Sequence, residues 1–135
     1  MTEFFAPGLP QPKGSMRGFV VRSKATGRSR AVLTNNSTKT KPWEHVVRFY
    51  AEAAGLKPSE GPMMLYLAFY LPRPKTVKRD QPTVKPDIDK LVRSCMDALT
   101  GIAWVDDAQV TKIEAVKFYE HGAPGPGVRV RVGAA

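Results

Sequence analysis

The sequence is poor in several things on which common chemistries depend. It contains one cysteine, Cys95, so no internal disulfide can form, and a reducing cytoplasm is the expected setting. It has two histidines, His45 and His121. One lies beside Trp43 in a helical stretch and the other in a Gly/Pro loop, and neither is expected to be catalytic. No apolar run approaches the ~20 residues of a membrane helix; the longest, MMLYLAFYL at 63–71, has the length of a strand. The opening MTEFFAPGLPQPKG lacks the basic and apolar regions of a secretion signal. No Gly-rich phosphate loop is present, which argues against a nucleotidyl- or glycosyl-transferase using an Asp-x-Asp pair. Acidic residues are scarce too, with 12 Asp+Glu against 21 Lys+Arg.

What the sequence does have is positive charge, unevenly placed. Its 135 residues suit one domain, 1–135. A net charge of +9 favours a polyanionic partner, with nucleic acid first and an acidic membrane surface second. Residues 1–80 carry 14 Lys+Arg against 5 Asp+Glu, whereas residues 81–135 carry 7 of each. The front of the chain is built to hold an anion, and the aspartates gather behind it.

Hydrophobic periodicity gives the elements. TEFFAP, GFVVRS (18–23) and SRAVLT (29–34) read as strands, the last two joined by a turn containing Gly27. A helix is predicted from Pro42 to Gly55, with Trp43, Val46, Val47, Tyr50, Ala51 and Ala54 on one face. MMLYLAFYL reads as a central strand buried on both sides. The segment 71–86 is Pro-rich and basic, a loop. A second helix follows, with Ile88, Leu91, Val92, Cys95, Met96 and Leu99 as its buried face and Thr100-Gly101 as its end. Strands at 109–120 and 128–132 close the chain. The order βββαβαββ implies an α/β fold (α+β, mixed sheet) with two helices against a small sheet. Cys95 and Trp104 read as core, and Phe4, Phe5 and Met16 as core or dimer contacts.

The stretch KPDIDKLVRSCMDALTGIAWVDDAQV (85–110) holds five aspartates. Asp87 is well placed as an N-cap and Asp89 suits the first turn. Arg93 stands one turn from both Asp89 and Asp97, in two weak pairs of ~0.2–0.5 kcal/mol each. A carboxylate cluster is equally a hard-oxygen site for Mg²⁺ or Mn²⁺. Two helical residues at i and i+2 point ~200° apart, so Asp87 and Asp89 converge only if Asp87 is extended. Asp106 and Asp107 follow the helix, and the intervening connection must return along it for the two pairs to meet. Neighbours in an extended chain face opposite ways, so one of Asp106 and Asp107 is expected to join, and spacing does not say which.

The same stretch resembles the core signature of the RusA family of Holliday-junction resolvases: an Asp-x-Asp pair opening a helix, then Asp-Ala-Leu, a turn, and an aromatic-x-Asp-Asp-x-Gln segment. PGLPQPKGSMR resembles the family's Pro/Lys-rich opening. The resemblance implies a homodimeric RusA-like fold and Mg²⁺-dependent cleavage of four-way junction DNA, with Mn²⁺ as a substitute. It implies Asp87, Asp89 and Asp107 as the metal-binding carboxylates. The family's catalytic lysine falls on Arg93, which cannot donate a proton near neutral pH but can clamp a phosphate; Lys90 is the other cation that could stand in. Lys13, Arg17, Lys75, Lys78, Arg79, Lys85 and Lys90 are the expected DNA contacts. Small resolvases of this kind often belong to phages or prophages and act in the bacterial host. The rival reading is a non-catalytic nucleic-acid-binding protein on the same fold, with the aspartates as helix caps.

Overall fold

The computed structural model describes residues 1–14, 16–22, 29–35 and 38–135, with backbone pairing alone for 16–22 and 29–35. Along the chain run β1 (Thr2–Pro7), β2 (Met16–Arg22), β3 (Ser29–Asn35), α1 (Thr40–Ala53), β4 (Met63–Leu71), α2 (Ile88–Leu99), β5 (Val110–Tyr119) and β6 (Gly127–Ala134). This is the expected order. Four strands form a mixed sheet in the order β1-β6-β4-β5, and β2 and β3 pair as a separate antiparallel ribbon. The expected turn at Gly27 lies outside the described residues.

β4 is central, as its apolar run implies, and pairs antiparallel with β6 and parallel with β5. It is not buried on both sides. Met63, Leu65, Leu67, Phe69 and Leu71 are buried, while the residues between them are only half covered. The reason is that both helices belong to one core on one face of the sheet. That core joins β4 to Val128, Val130 and Val132 of β6, to Phe4 and Ala6 of β1, to Trp43, Val47 and Ala51 of α1, and to Leu91, Cys95 and Leu99 of α2. Each large side chain fully buried there contributes ~1.5–3 kcal/mol. Trp104 is wholly buried, its indole N–H donating to Thr100 Oγ1 at 3.0 Å, and Phe5 is left half-covered outside the core.

α1 starts at Thr40, two residues before the expected Pro42. Proline lacks the N–H that the first turn leaves unused, so it is tolerated there without being first. The Thr40 hydroxyl donates to the Pro12 carbonyl at 2.7 Å and anchors the start. A strap from Leu9 to Lys13 crosses the helices: the Lys13 N–H donates to the Lys90 carbonyl at 2.9 Å and the Ser94 hydroxyl to Gln11 O at 2.7 Å. α2 departs from expectation on one flank. Ile88 is 38% exposed and Val92 and Met96 are half-covered, whereas Leu91, Ser94, Cys95, Ala98 and Leu99 are buried. The helix ends where Gly101 turns at φ +85°, a left-handed conformation that suits glycine.

Candidate metal and phosphate site

Asp87 occupies the N-cap of α2 with an extended backbone, φ −71° and ψ 139°. That is the conformation needed for its side chain to turn toward that of Asp89. Its carboxylate makes no capping hydrogen bond. The nearest cation is Lys90, whose ammonium lies 3.9 Å from Asp87 Oδ2. The Asp87 side chain is 48% exposed, and Asp89 is exposed one step into the helix. An open groove of about 860 Å³ runs past them, lined by Pro82, Thr83, Val84, Lys85, Asp87, Ile88, Asp89 and Lys117.

Lys117 is the residue that sequence reasoning missed. Its ammonium donates to the Val84 and Pro86 carbonyls at 2.9 Å each, fixing the end of the basic loop to β5 directly before Asp87. Its position on the helix-bearing face of a strand was the available signal, but nothing local ties it to a segment more than thirty residues earlier. Farther along the loop, Arg73 stacks over the Tyr119 ring at 4.5 Å and donates to the Arg79 carbonyl at 2.7 Å. Arg79 Nε in turn donates to the Tyr119 hydroxyl at 3.0 Å. Lys75, Lys78, Arg79 and Lys85 are all exposed on this loop, and Lys85 lines the groove together with the acidic pair.

Other expected contacts are placed differently. Lys13 lies 2.8 Å from Asp97 Oδ2 and 3.4 Å from Glu44 Oε1. Its ammonium ties the strap to both helices, and the hydrogen bond to Asp97 holds its pKa above the ordinary lysine value. With Asp97 so engaged, the expected Arg93–Asp97 pair does not form among the described residues, nor does Asp89–Arg93. Arg93 is exposed on the turn after Asp89. The side chain of Arg17, on β2, lies outside the described residues. His45 and His121 are exposed. Cys95 is fully buried, and burial pushes its thiol pKa upward, which keeps it unreactive.

Asp106 and Asp107 divide their roles. Asp106 caps a 3-10 turn over Asp107–Gln109, its Oδ1 accepting from the Ala108 N–H at 2.9 Å. Gln109 locks that turn in place by donating to the Ser59 and Gly61 carbonyls at 2.8 and 2.9 Å. Asp107 is exposed beside the cap. The whole turn sits at the start of β5, whereas the N-terminus of α2 sits level with Lys117. Seven residue steps along the strand separate Val110 from Lys117, roughly 23 Å at ~3.3 Å each. The connection after α2 therefore does not return along the helix, but passes through Gly101 and Trp104 straight into β5. Asp87 and Asp89 stand together; Asp107 of the same chain does not join them. Among the described residues no group of three or more His, Cys, Asp or Glu side chains is placed to hold a metal ion.

The two adjacent carboxylates still fit a hard divalent cation in chemistry, because neither is engaged in capping the helix. No helix among the described residues is long and apolar enough to cross a membrane. YqaN of Bacillus subtilis strain 168, an uncharacterized protein, is 29% identical over 132 residues, with 87% of each chain covered. The sequence matches the family described as Endodeoxyribonuclease RusA over residues 10–132, nearly its whole length, and the chain belongs to that family.

Proposed function

We propose that the protein is a Mg²⁺-dependent endodeoxyribonuclease that resolves Holliday junctions as a homodimer, by paired symmetric phosphodiester hydrolysis. The observation that carries this reading is the Asp87 carboxylate. It stands at an N-cap in the extended conformation, makes no capping bond, and lies beside Asp89 in a groove bordered by cations. A pair of carboxylates used only as helix caps would be expected to bond the free backbone N–H groups.

Asp87 and Asp89 would hold the ion. Bound there, Mg²⁺ or Mn²⁺ supplies an activated water and neutralises charge on the scissile phosphate and the leaving 3′-oxygen. The remaining work is done by the chain's own groups. Arg93, exposed one turn beyond Asp89, clamps a phosphate oxygen and stabilises the charge that develops in the transition state. Lys75, Lys78 and Lys85 hold the flanking backbone by charge. A four-way junction offers two symmetric scissile phosphates, so two sites related by a two-fold axis match it.

The test is cleavage of a synthetic four-way junction in Mg²⁺, beside a linear duplex of the same sequence and an Asp89→Asn control. Paired nicks on the junction alone, absent from the control and in EDTA, are expected. Tight binding with no cut in either Mg²⁺ or Mn²⁺ would replace the enzyme with a junction-binding protein.

A further inference from the structure

We propose that the open face of the four-stranded sheet binds a single strand of DNA, with bases stacked on Tyr66 and on the Tyr70–Phe118 pair and phosphates held by Arg129 and Arg131. This face lies across the sheet from both helices, and the proposal does not rest on the nuclease reading above.

The face is unusual for one turned to water. Both helices cover the side of β4 that carries Leu65, Leu67 and Phe69. The other side presents Met64, Tyr66, Ala68 and Tyr70, without one charged residue. A sheet face left to solvent normally carries polar side chains.

Three rings run across one end of this face. Tyr70 of β4 stacks with Phe118 of β5 at 5.6 Å between centroids, and Phe5 of β1 lies 6.3 Å from Tyr70. Phe5 reaches across because β6 has Gly127 there, and a Cβ at that position would overlap the Phe5 ring. Phe118 is 37% exposed, so the row keeps an open surface. Four residues back along β4, roughly 13 Å at ~3.3 Å each, Tyr66 forms a second platform. Between the two lies a groove of about 330 Å³, lined by Ala68 and Val116 and bordered by Arg129, Arg131 and Glu114.

The cations distinguish this face from a plain apolar patch. Arg129 and Arg131 stand two residues apart on one face of β6, roughly 7 Å along the strand. Arg129 lies over the Phe5 ring at 5.5 Å and Arg131 over the Tyr66 ring at 5.4 Å. Among the described residues neither forms an ion pair, although Glu3 stands opposite Arg131 in the register. Glu114 is engaged instead with Lys112 at 3.5 Å.

A planar guanidinium resting on a ring still presents its outer N–H edge to a phosphate. The alternation of the two arginines suits successive phosphates of an extended strand. The rings offer π-faces on which any base can stack. A duplex, with its bases already stacked inward, cannot use them. A second copy laid on this face would meet it with the same arginines, whereas a nucleic-acid strand supplies the anion they lack. The family is one of endodeoxyribonucleases, so the strand is taken as DNA.

Two experiments on the full chain, both in EDTA to suppress cleavage, test this. An oligothymidylate carrying iodouracil is irradiated with wild-type protein and the crosslinked residues are mapped. Crosslinks should fall on Tyr66, Tyr70 or Phe118, and an unlabelled single strand should compete them away where a linear duplex does not. Crosslinks confined to the basic loop or to the start of α2 would overturn the proposal. In fluorescence anisotropy, Arg129→Gln/Arg131→Gln and Tyr66→Leu should each weaken binding of a labelled single strand about fivefold or more. Lys75→Gln/Lys78→Gln, on the basic loop, should weaken it less. Unchanged affinity in both sheet variants would likewise overturn the proposal, and a loss of self-association in its place would assign the face to a second copy. If wild-type protein cuts no junction while the crosslinks fall on the sheet, the nuclease reading fails and this site stands.

Discussion

Lys117 and Pro86, thirty-one residues apart in sequence, are joined by a 2.9 Å hydrogen bond from the lysine ammonium to the proline carbonyl. The bond places the residue preceding Asp87 at a fixed level on β5, so a strand sets where the acidic pair begins. Lys117→Met should therefore lower junction cleavage by about tenfold or more, because a displaced carboxylate loses alignment. The cost in thermal stability should be small, about 1 kcal/mol, since the loop is exposed. Cleavage rate and melting temperature measured on the same preparation separate the two effects. A parallel fall in both would make Lys117 merely structural.

Asp87 gives the opposite kind of test. A working N-cap replaced by a poorer residue typically costs ~1 kcal/mol. Here the carboxylate makes no capping bond, so Asp87→Ala should leave the melting temperature within about 0.5 kcal/mol of wild type. Cleavage should be abolished. Urea titration of the variant is the check, and a loss as large as a true cap would return the residue to a structural role.

The Lys13–Asp97–Glu44 cluster should appear as a pH effect at the alkaline end. Glu44 is nearly buried, with its side chain 4% exposed, and Lys13 is 24% exposed. The pKa of Lys13 is raised in the folded protein, first by its hydrogen bond to Asp97. Its contribution is therefore complete below the ordinary lysine pKa of ~10.4 and is lost as pH rises through the raised value. Lys13→Met should cost about 1–2 kcal/mol at neutral pH, because among the described residues it leaves Glu44 with Lys41 alone, 3.7 Å away. Melting curves from pH 7 to 11 should show the gap between wild type and variant narrowing at the top of the range.

Gly127 begins β6 against Ala6 and Phe5 of β1. A Cβ there would overlap both the Ala6 carbonyl oxygen and the Phe5 ring. Gly127→Ala should pry β1 from β6 and destabilise the fold by about 2 kcal/mol or more. Gly101→Ala meets no neighbour but faces the positive φ of its turn, at a cost of about 1 kcal/mol. The order of the two melting temperatures checks the distinction.

Much of this was legible in the sequence because it depends on neighbours in the chain. The helical repeat of Leu91, Cys95 and Leu99 fixes which face of α2 is buried, and the length of MMLYLAFYL fixes a strand. The Asp-x-Asp spacing at a helix start needs only local geometry, and Asp87 took the extended conformation that convergence requires. The segregation of charge along the chain likewise needs no fold to be seen.

Only the tertiary structure decided the rest. Both helices cover one face of the sheet, so β4 is buried on one side despite its continuous apolar run, and Ile88 is left open. Long-range partners also override local ones: Asp97 turns to Lys13 rather than Arg93, and Lys117 reaches back to Pro86. Above all, the parallel pairing of β4 and β5 carries Asp107 to the far end of the sheet from Asp87 and Asp89. Spacing along a chain fixes which residues a site can recruit. Distance through space, set by strand direction and helix length, determines whether one chain can bring them together.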